Sequence, residues 1–375
     1  MYLAIREMRF AKVRYSLLAT IMLLVAFLVL FVTGLARGLA YDNAASIQNM
    51  TATHFIMEKD SNHRFTRSQI GEKDLAAAGS ITGEEYAQPL GVRMATVTAE
   101  GTALKLDVTL LGIRPEGWLM PPVTAGAAIS SQKSGQAVVD SKLKDSGIGL
   151  GDVIVDSASG LKWTVGGFVS HESFSHSPAV FLNESDWRQI QSAASARPGV
   201  ASAEAGTTYS AIAVKANKQQ AKQLADLLPD AEVVAKSQAV SAIPGYKEEQ
   251  GSLMMMIVFL FIIASFVLAV FFYVITIQKS SQFGILKAIG ARSAYLARSV
   301  TLQVLVLAAG SLTVAILLVQ AVEAGLPAGM PFRLPVSDLA LTSVAFIAMS
   351  LAGSLLSVWK VTRIDALDAI GRAAA

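Results

Sequence analysis

Apolar positions in this chain gather into four long runs, separated by one extended stretch of mixed character. Leu17–Leu35 is interrupted only by Thr20, Thr33 and Gly34, and Leu253–Ile277, Val300–Val319 and Leu339–Val358 are comparably apolar. A helix needs about 20 such residues to cross the hydrocarbon core of a bilayer, so each run predicts one transmembrane helix. Residues 36–250, between the first and second runs, carry shorter periods. Two-residue alternation at Ala95–Ala99, Leu104–Leu111, Asp152–Asp156, Lys162–Val169 and Tyr209–Val214 predicts strands. Lys218–Leu228 has helical spacing and stops at Pro229, ahead of a strand-like Ala231–Ala235. Gln136–Val169 reads as a strand, a short helix, a turn at Gly149-Leu150-Gly151-Asp152, and two strands joined through Ser159-Gly160. The expected fold class is therefore membrane α-helical, with four transmembrane helices and a large extracytoplasmic α+β domain inserted between helices 1 and 2.

Charge supplies the orientation. Arg6, Arg9, Lys12 and Arg14 precede the first run, Lys279, Lys287, Arg292 and Arg298 lie between the second and third, and Lys360, Arg363 and Arg372 follow the fourth. The connection between the third and fourth runs holds Glu323 and Asp338 against a single Arg333. Basic flanks mark the cytoplasmic side, so both termini are expected on the inside of the membrane and the inserted domain outside. The expected divisions are a cytoplasmic amphipathic helix at 1–16, spans at 17–35, 253–277, 300–319 and 339–358, and the outer domain with its stalk segments at 36–250. A cytoplasmic loop at 278–299, a short outer loop at 320–338 and a cytoplasmic tail at 359–375 complete them. The competing reading of the first run is a signal peptide cut near Ala40. The run is longer than a signal-peptide core, and cutting would leave three spans with an awkward topology.

Composition narrows the chemistry. Hydrophobic residues make up 53% and charged residues 16%, against about 25% charged in soluble domains. Cysteine is absent, which removes disulfides, thiolate metal sites and covalent haem attachment. A net charge of +3 gives no reason to expect a nucleic-acid partner. There is no GxxxxGK[ST] loop, GxGxxG, HExxH, GxSxG or EF-hand loop. The chain is thus expected to have no catalytic residues, no metal site and no intrinsic cofactor, and not to bind ATP in the P-loop manner.

The most informative short segment is Gln278–Arg298. Phe283, Leu286 and Ile289 form an apolar stripe beside Ile285, Gly290 is placed to end the helix, and Ser293 to cap the next. Such a helix can lie on the lipid surface or dock into a partner's groove. Phe283-Gly-Ile-Leu-Lys-Ala-Ile-Gly-Ala-Arg292 resembles the coupling segment of FtsX/MacB-type (type VII) ABC transporter permeases. The four-span topology, the domain after span one, the Val138–Val169 pattern and the Asp365–Ile370 tail agree with that resemblance. It covers essentially the whole chain, most strongly residues 1–35 and 250–371. Within that family, Met1-Tyr-Leu-Ala-Ile-Arg-Glu7 and Lys12-Val-Arg-Tyr-Ser-Leu17 resemble HrtB-like haem-exporter permeases and the related DevC-like permeases. The resemblance implies a homodimer paired with a cytoplasmic ABC ATPase dimer that carries ATP and Mg. Phe283, Gly284, Ile285, Leu286, Lys287 and Ile289 would contact the ATPase, whose closure moves the outer domain through spans one and two.

It also implies haem as substrate, leaving the membrane outward. Haem asks for apolar walls, a cation for its propionates and a Tyr, His or Met for its iron. Arg37 and Tyr41, four apart, and Tyr246, Glu249 and Met256 at the start of span two offer those groups. Each also has a plainer role: Arg37 as an interfacial anchor, the tyrosines as an aromatic belt, Glu249 as a solvated helix end, and the methionines as packing. His171, Glu172 and His176 read as a solvated loop rather than a metal site. The alternatives to haem are another amphiphile, such as a lipid, lipoprotein, peptide or antibiotic, or a non-transporting transmitter that regulates an extracellular hydrolase.

Overall fold

A computed structural model describes residues 12–195, 207–327 and 329–362. The expected amphipathic helix up to residue 11 and the Asp365–Ile370 tail lie outside the described residues. The chain divides into two compact units. One contains the chain up to Gly38, Gly251–Pro327 and the chain from Phe332 on, and the other contains Leu39–Gln250 with the short loop ending at Pro331.

The first helix, α1 (Lys12–Asn49), is long and apolar, with one non-helical residue, Ala44 (φ −135°, ψ 15°). Its last turns, from Leu39, belong to the inserted unit. There Lys236 Nζ donates to Gln48 O (3.1 Å) and Met50 O (2.8 Å), placing a cation on carbonyls that the helix end leaves unpaired.

The inserted unit then runs β1 (His54–Glu58), β2 (Ile70–Gly71), α2 (Glu72–Thr82), β3 (Ala87–Ala99), β4 (Lys105–Gly112), β5 (Ala125–Gly126), β6 (Gln136–Asp140) and α3 (Lys142–Asp145). It continues through β7 (Val153–Asp156), β8 (Lys162–Val169), β9 (Ser173–Phe174), β10 (Ser177–Leu182), α4 (Glu184–Ser195), β11 (Thr208–Tyr209) and β12 (Ala211–Val214). It closes on α5 (Lys218–Leu227), β13 (Ala231–Ala235) and α6 (Lys236–Ser241). The main sheet orders its strands β13-β1-β12-β3-β4-β10-β6-β8-β5, with β7 pairing β3 and β8, and β9 pairing β10. Most pairs are antiparallel, but β10–β4 and β6–β8 are parallel.

Alternation sorts the strand side chains onto two cores. Ile56, Ile212, Val214, Val180 and Leu182 enter one core with helices α2, α4 and α5. Phe55, Met57, Ala211, Ala213, Ala179 and Phe181 enter the other, with Ala44 and Ile47 of α1 and Ala239 of α6. Both faces are covered, so the central strands are apolar throughout. Trp187 lies over the facing glycines Gly91 and Gly112: a Cβ on either would fall within 2.2–2.8 Å of its indole. The stretch expected as one strand at Tyr209–Val214 is broken at Ser210, whose hydroxyl instead pairs with the Val92 backbone.

The membrane unit adds α7 (Tyr246–Gln278, from Gly251 on), α8 (Ser280–Ala288), α9 (Ser293–Gly325) and α10 (Val336–Thr362) to α1. The four long helices are each apolar enough to cross a bilayer. Leu18, Met22, Ala26, Leu268, Phe272, Ala308, Ala315 and Phe346 form their shared core. Gly353 lets α10 approach the α7 backbone, since a Cβ there would sit 3.2 Å from Ser265 O. Phe332 rests on Gly34, and Arg333 N donates to Gly34 O at 3.1 Å. Helices α9 and α10 extend well into the region expected as a 320–338 loop. The most apolar stretch of α7 is the least buried of the four.

Candidate functional site

In the inserted unit, side chains far apart in sequence meet in a polar junction. The end of α1 supplies Asp42, Asn43 and Asn49, the turns around β9 supply Glu172, Ser173 and His176, and the start of α7 supplies Tyr246 and Glu249. His176 Nε2 lies 3.0 Å from Glu249 Oε2, and its Nδ1 lies 3.6 Å from Asp42 Oδ2. Asn43 Nδ2 donates to the same Glu249 oxygen at 2.8 Å. Asp42 also accepts from Ser173 Oγ (2.8 Å) and from the Lys142 ammonium. The α7 start is therefore tied to α1 through His176 and Asn43, and also through Gln48, whose side chain donates to Tyr246 OH.

The β9 turns hold three non-glycine residues in the left-handed region, namely His171 (φ 60°), Ser175 (φ 49°) and His176 (φ 63°). That conformation costs on the order of 1–3 kcal/mol per residue and persists where the surroundings dictate it. Here they do: Ser175 N donates to Asn43 O at 2.7 Å, and Asn49 Nδ2 donates to His171 O at 3.0 Å.

Glu172 is only 4% exposed. Burial, reinforced by the neighbouring Asp140 charge and opposed by the Asn49 hydrogen bond, pushes its carboxyl pKa up to about 7. Burial also raises Asp140, against the N–H groups of Glu172 and Lys142 that its carboxylate accepts. The expectation of a solvated loop at 171–176 is therefore corrected: Glu172 is a core residue and His176 a bridge. Sequence spacing gave no sign of this, because the partners lie on α1, β6 and α7.

The residues singled out for haem divide between the units. In the inserted unit, Tyr41 OH donates to Asn49 Oδ1 at 2.6 Å. Tyr246 OH accepts from Gln48 Nε2 (3.3 Å) and Gln250 Nε2 (3.2 Å), and Glu249 is the junction carboxylate rather than a solvated helix end. In the membrane unit, Arg37 Nε lies 3.2 Å from Asp338 Oδ2, in the first turn of α10. Met256 is 45% exposed, and its neighbours Met254 and Met255 are exposed as well. A cavity of about 560 Å³ in the inserted unit is lined by polar groups, among them His63, Arg64, Ser237, Gln238 and Lys247. His63 there pairs with Glu232 at 3.0 Å. Among the described residues, no group of three or more His, Asp or Glu is arranged to hold a metal ion.

The coupling segment folds as α8, with Gly290 at φ 99° just beyond it. Its apolar stripe is split. Phe283 is 2% exposed and packs with Leu296 and Val300, joined by the partly buried Leu286. Ile285 and Ile289 remain exposed, Ile289 at 77%. Phe283 and Gly284 are thus internal, and the face offered outward is Ile285 and Ile289. Lys287 Nζ donates to Thr362 O at 2.9 Å. Ser293 does not cap α9: it is the first helical residue, preceded by extended Arg292.

Residues 254–366 match the family model described as the C-terminal region of FtsX-like permeases. Over 372 residues the chain is 30% identical to a Staphylococcus haemolyticus protein named as the permease HrtB of a hemin transport system, with 99% of each chain covered. A protein of the same name from Staphylococcus epidermidis is 28% identical over 371 residues, again with 99% of each covered. Among solved structures, the periplasmic region of MacB from Actinobacillus actinomycetemcomitans aligns with 52% of this chain and 93% of its own, at 16% identity and a TM-score of 0.37.

Proposed function

The chain belongs to the FtsX-like family of ABC transporter permeases, and from that premise we propose that it exports haem from the membrane to the outside. The observation that carries the substrate is the end-to-end likeness, at 30% identity, to a permease named for hemin transport. In this reading the chain works as a homodimer on a cytoplasmic ATPase dimer that binds ATP and Mg. The termini lie inside and the inserted domain outside, in keeping with Lys12, Arg14, Lys287, Arg292 and Arg298 on one side of the spans. ATPase closure presses on α8 through Ile285 and Ile289, and α1 and α7 carry the movement outward.

Haem meets groups on α1 and α7. Met256, with its neighbouring methionines, offers thioethers to the iron, and Tyr41, Tyr246 and Glu249 offer oxygen ligands. Arg37 is the cation for a propionate, which it can bind only by exchanging Asp338 for that carboxylate. The test is reconstitution of the permease–ATPase complex in liposomes loaded with haem in the bilayer. Haem appearing outside in step with ATP hydrolysis, and a Soret shift that weakens in Met256→Ala or Tyr246→Phe, support the proposal. An unchanged Soret band together with haem-insensitive ATPase activity sinks it and turns the search to other amphiphiles.

A further inference from the structure

Lys279 is 4% exposed, at the bend where α7 gives way to α8. Its backbone N–H donates to Thr276 O (3.1 Å), and its carbonyl accepts from Phe283 N (3.0 Å), so the residue joins the end of one helix to the first turn of the next. Its ammonium contacts the Tyr15 hydroxyl of α1 and lies 4.7 Å from the centre of the Tyr15 ring. Tyr15 OH in turn donates to Gln303 Oε1 of α9 at 2.7 Å. One cation on the bend is thereby tied to two other helices.

A buried ammonium in a membrane bundle is expensive. An apolar side chain of similar volume would fill the same space at lower cost, so stability alone does not call for lysine here. The space among Tyr15, Phe272, Thr276, Lys279, Phe283 and Gln303 is about 20 Å³, room for a single water and too small for a substrate. Ligand binding is thus ruled out for this cluster, and a mechanical role fits. Apolar contacts between helices in lipid slide readily, because lipid solvates the same surfaces equally well. A charge-assisted contact has a fixed partner and direction.

We propose that Lys279 is a positioning residue that makes α8 and α1 move as one piece, so that displacement of the coupling helix is delivered to α1. The proposal rests on the ATP-driven reading above. Its test uses the complete permease–ATPase complex in liposomes and two readouts. The first is haem exported per ATP hydrolysed. Lys279→Met is expected to lower that ratio about tenfold while basal hydrolysis is retained. Tyr15→Phe is expected to lower it in the same direction, and Lys279→Arg to restore part of it.

The second readout needs no haem. The chain has no native cysteine, so spin labels at Val13→Cys and Gln282→Cys report the α1–α8 distance with and without ATP. The distance is expected to stay constant across nucleotide states in the parent and to become nucleotide-dependent in Lys279→Met. A Lys279→Met complex with the parent's export ratio and the parent's distances overturns the proposal. Should that variant fail to assemble, Tyr15→Phe decides between the same two outcomes. A parent that moves no haem refutes the substrate assignment, and the distances then judge the link alone.

Discussion

Replacing Glu172 by glutamine should make the inserted domain more stable at alkaline pH and leave it almost unchanged in acid. Burial lifts the Glu172 pKa from an ordinary 4.5 to about 7, so the folded chain keeps a proton that the unfolded chain has already released. Between those two pH values the native state binds more protons than the unfolded state, and stability falls as pH rises. The loss is complete above about pH 7, where the buried carboxylate is ionised beside Asp140. At 1.36 kcal/mol per pKa unit the full loss is roughly 3 kcal/mol. Glutamine keeps a carbonyl oxygen to accept from Asn49 Nδ2, which lies 2.9 Å from Glu172 Oε1 in the parent, and it cannot ionise.

The assay is thermal unfolding of the detergent-solubilised chain, followed through tryptophan fluorescence from pH 5 to pH 8.5. Trp163 and Trp187 lie in the inserted-domain core, so their signal reports this unit. For a domain of this size 1 kcal/mol moves the midpoint by about 2–4 °C. The parent should therefore lose several degrees between pH 5 and pH 7.5, and Glu172→Gln should lose markedly less. Parallel pH profiles for parent and variant would refute the assignment of the titration to Glu172.

Gly112→Ala and Gly91→Ala should each lower the unfolding midpoint, because a Cβ at either meets the Trp187 indole at 2.8 Å or less. Overpacking of this kind costs about 1–3 kcal/mol, whereas Gly251→Ala, with nothing within 4 Å, should be neutral or stabilising in the same melt. Ile289→Asp should abolish co-purification of the ATPase subunit without changing the melting profile. Phe283→Ala should lower the melting temperature by opening a cavity against Leu296 and Val300. A double-mutant cycle on Arg37 and Asp338 should return a coupling of about 1 kcal/mol or less for this partly exposed pair, and Arg37→Ala alone should weaken haem binding in a spectral titration.

Much of the architecture is legible along the chain, and the reasons are physical. A bilayer demands a length of uninterrupted apolar helix, so the four spans stand out without any three-dimensional information. Strands β7 and β8 show their alternation because one side stays partly exposed over much of their length, and β4 does so only over its first residues, Lys105–Asp107. By contrast β1 and β10, buried on both faces, read as short apolar runs that carry no period. Spacing puts Phe283, Leu286 and Ile289 on one stripe, yet it cannot say which of them turns inward. That is decided by Leu296 and Val300 on the following helix, and they draw in Phe283 and leave Ile289 outside. Lys279 reads as a basic flanking residue, and only the fold reveals that its ammonium is internal.

What the sequence hides most completely is the set of links made by α1. In the membrane unit its Tyr15 holds Lys279 and Gln303, and in the inserted unit its Asp42, Asn43 and Asn49 reach His176, Glu249 and Glu172. Partners separated by more than a hundred residues leave no periodic trace, so none of these links could be read from spacing. They share a chemistry suited to transmission. Hydrophobic burial stabilises each unit but is non-directional, whereas a hydrogen-bonded charge fixes which atoms stay together when a helix shifts. The relay proposed above would call for the second property in each unit, and α1 makes polar contacts of that kind in both.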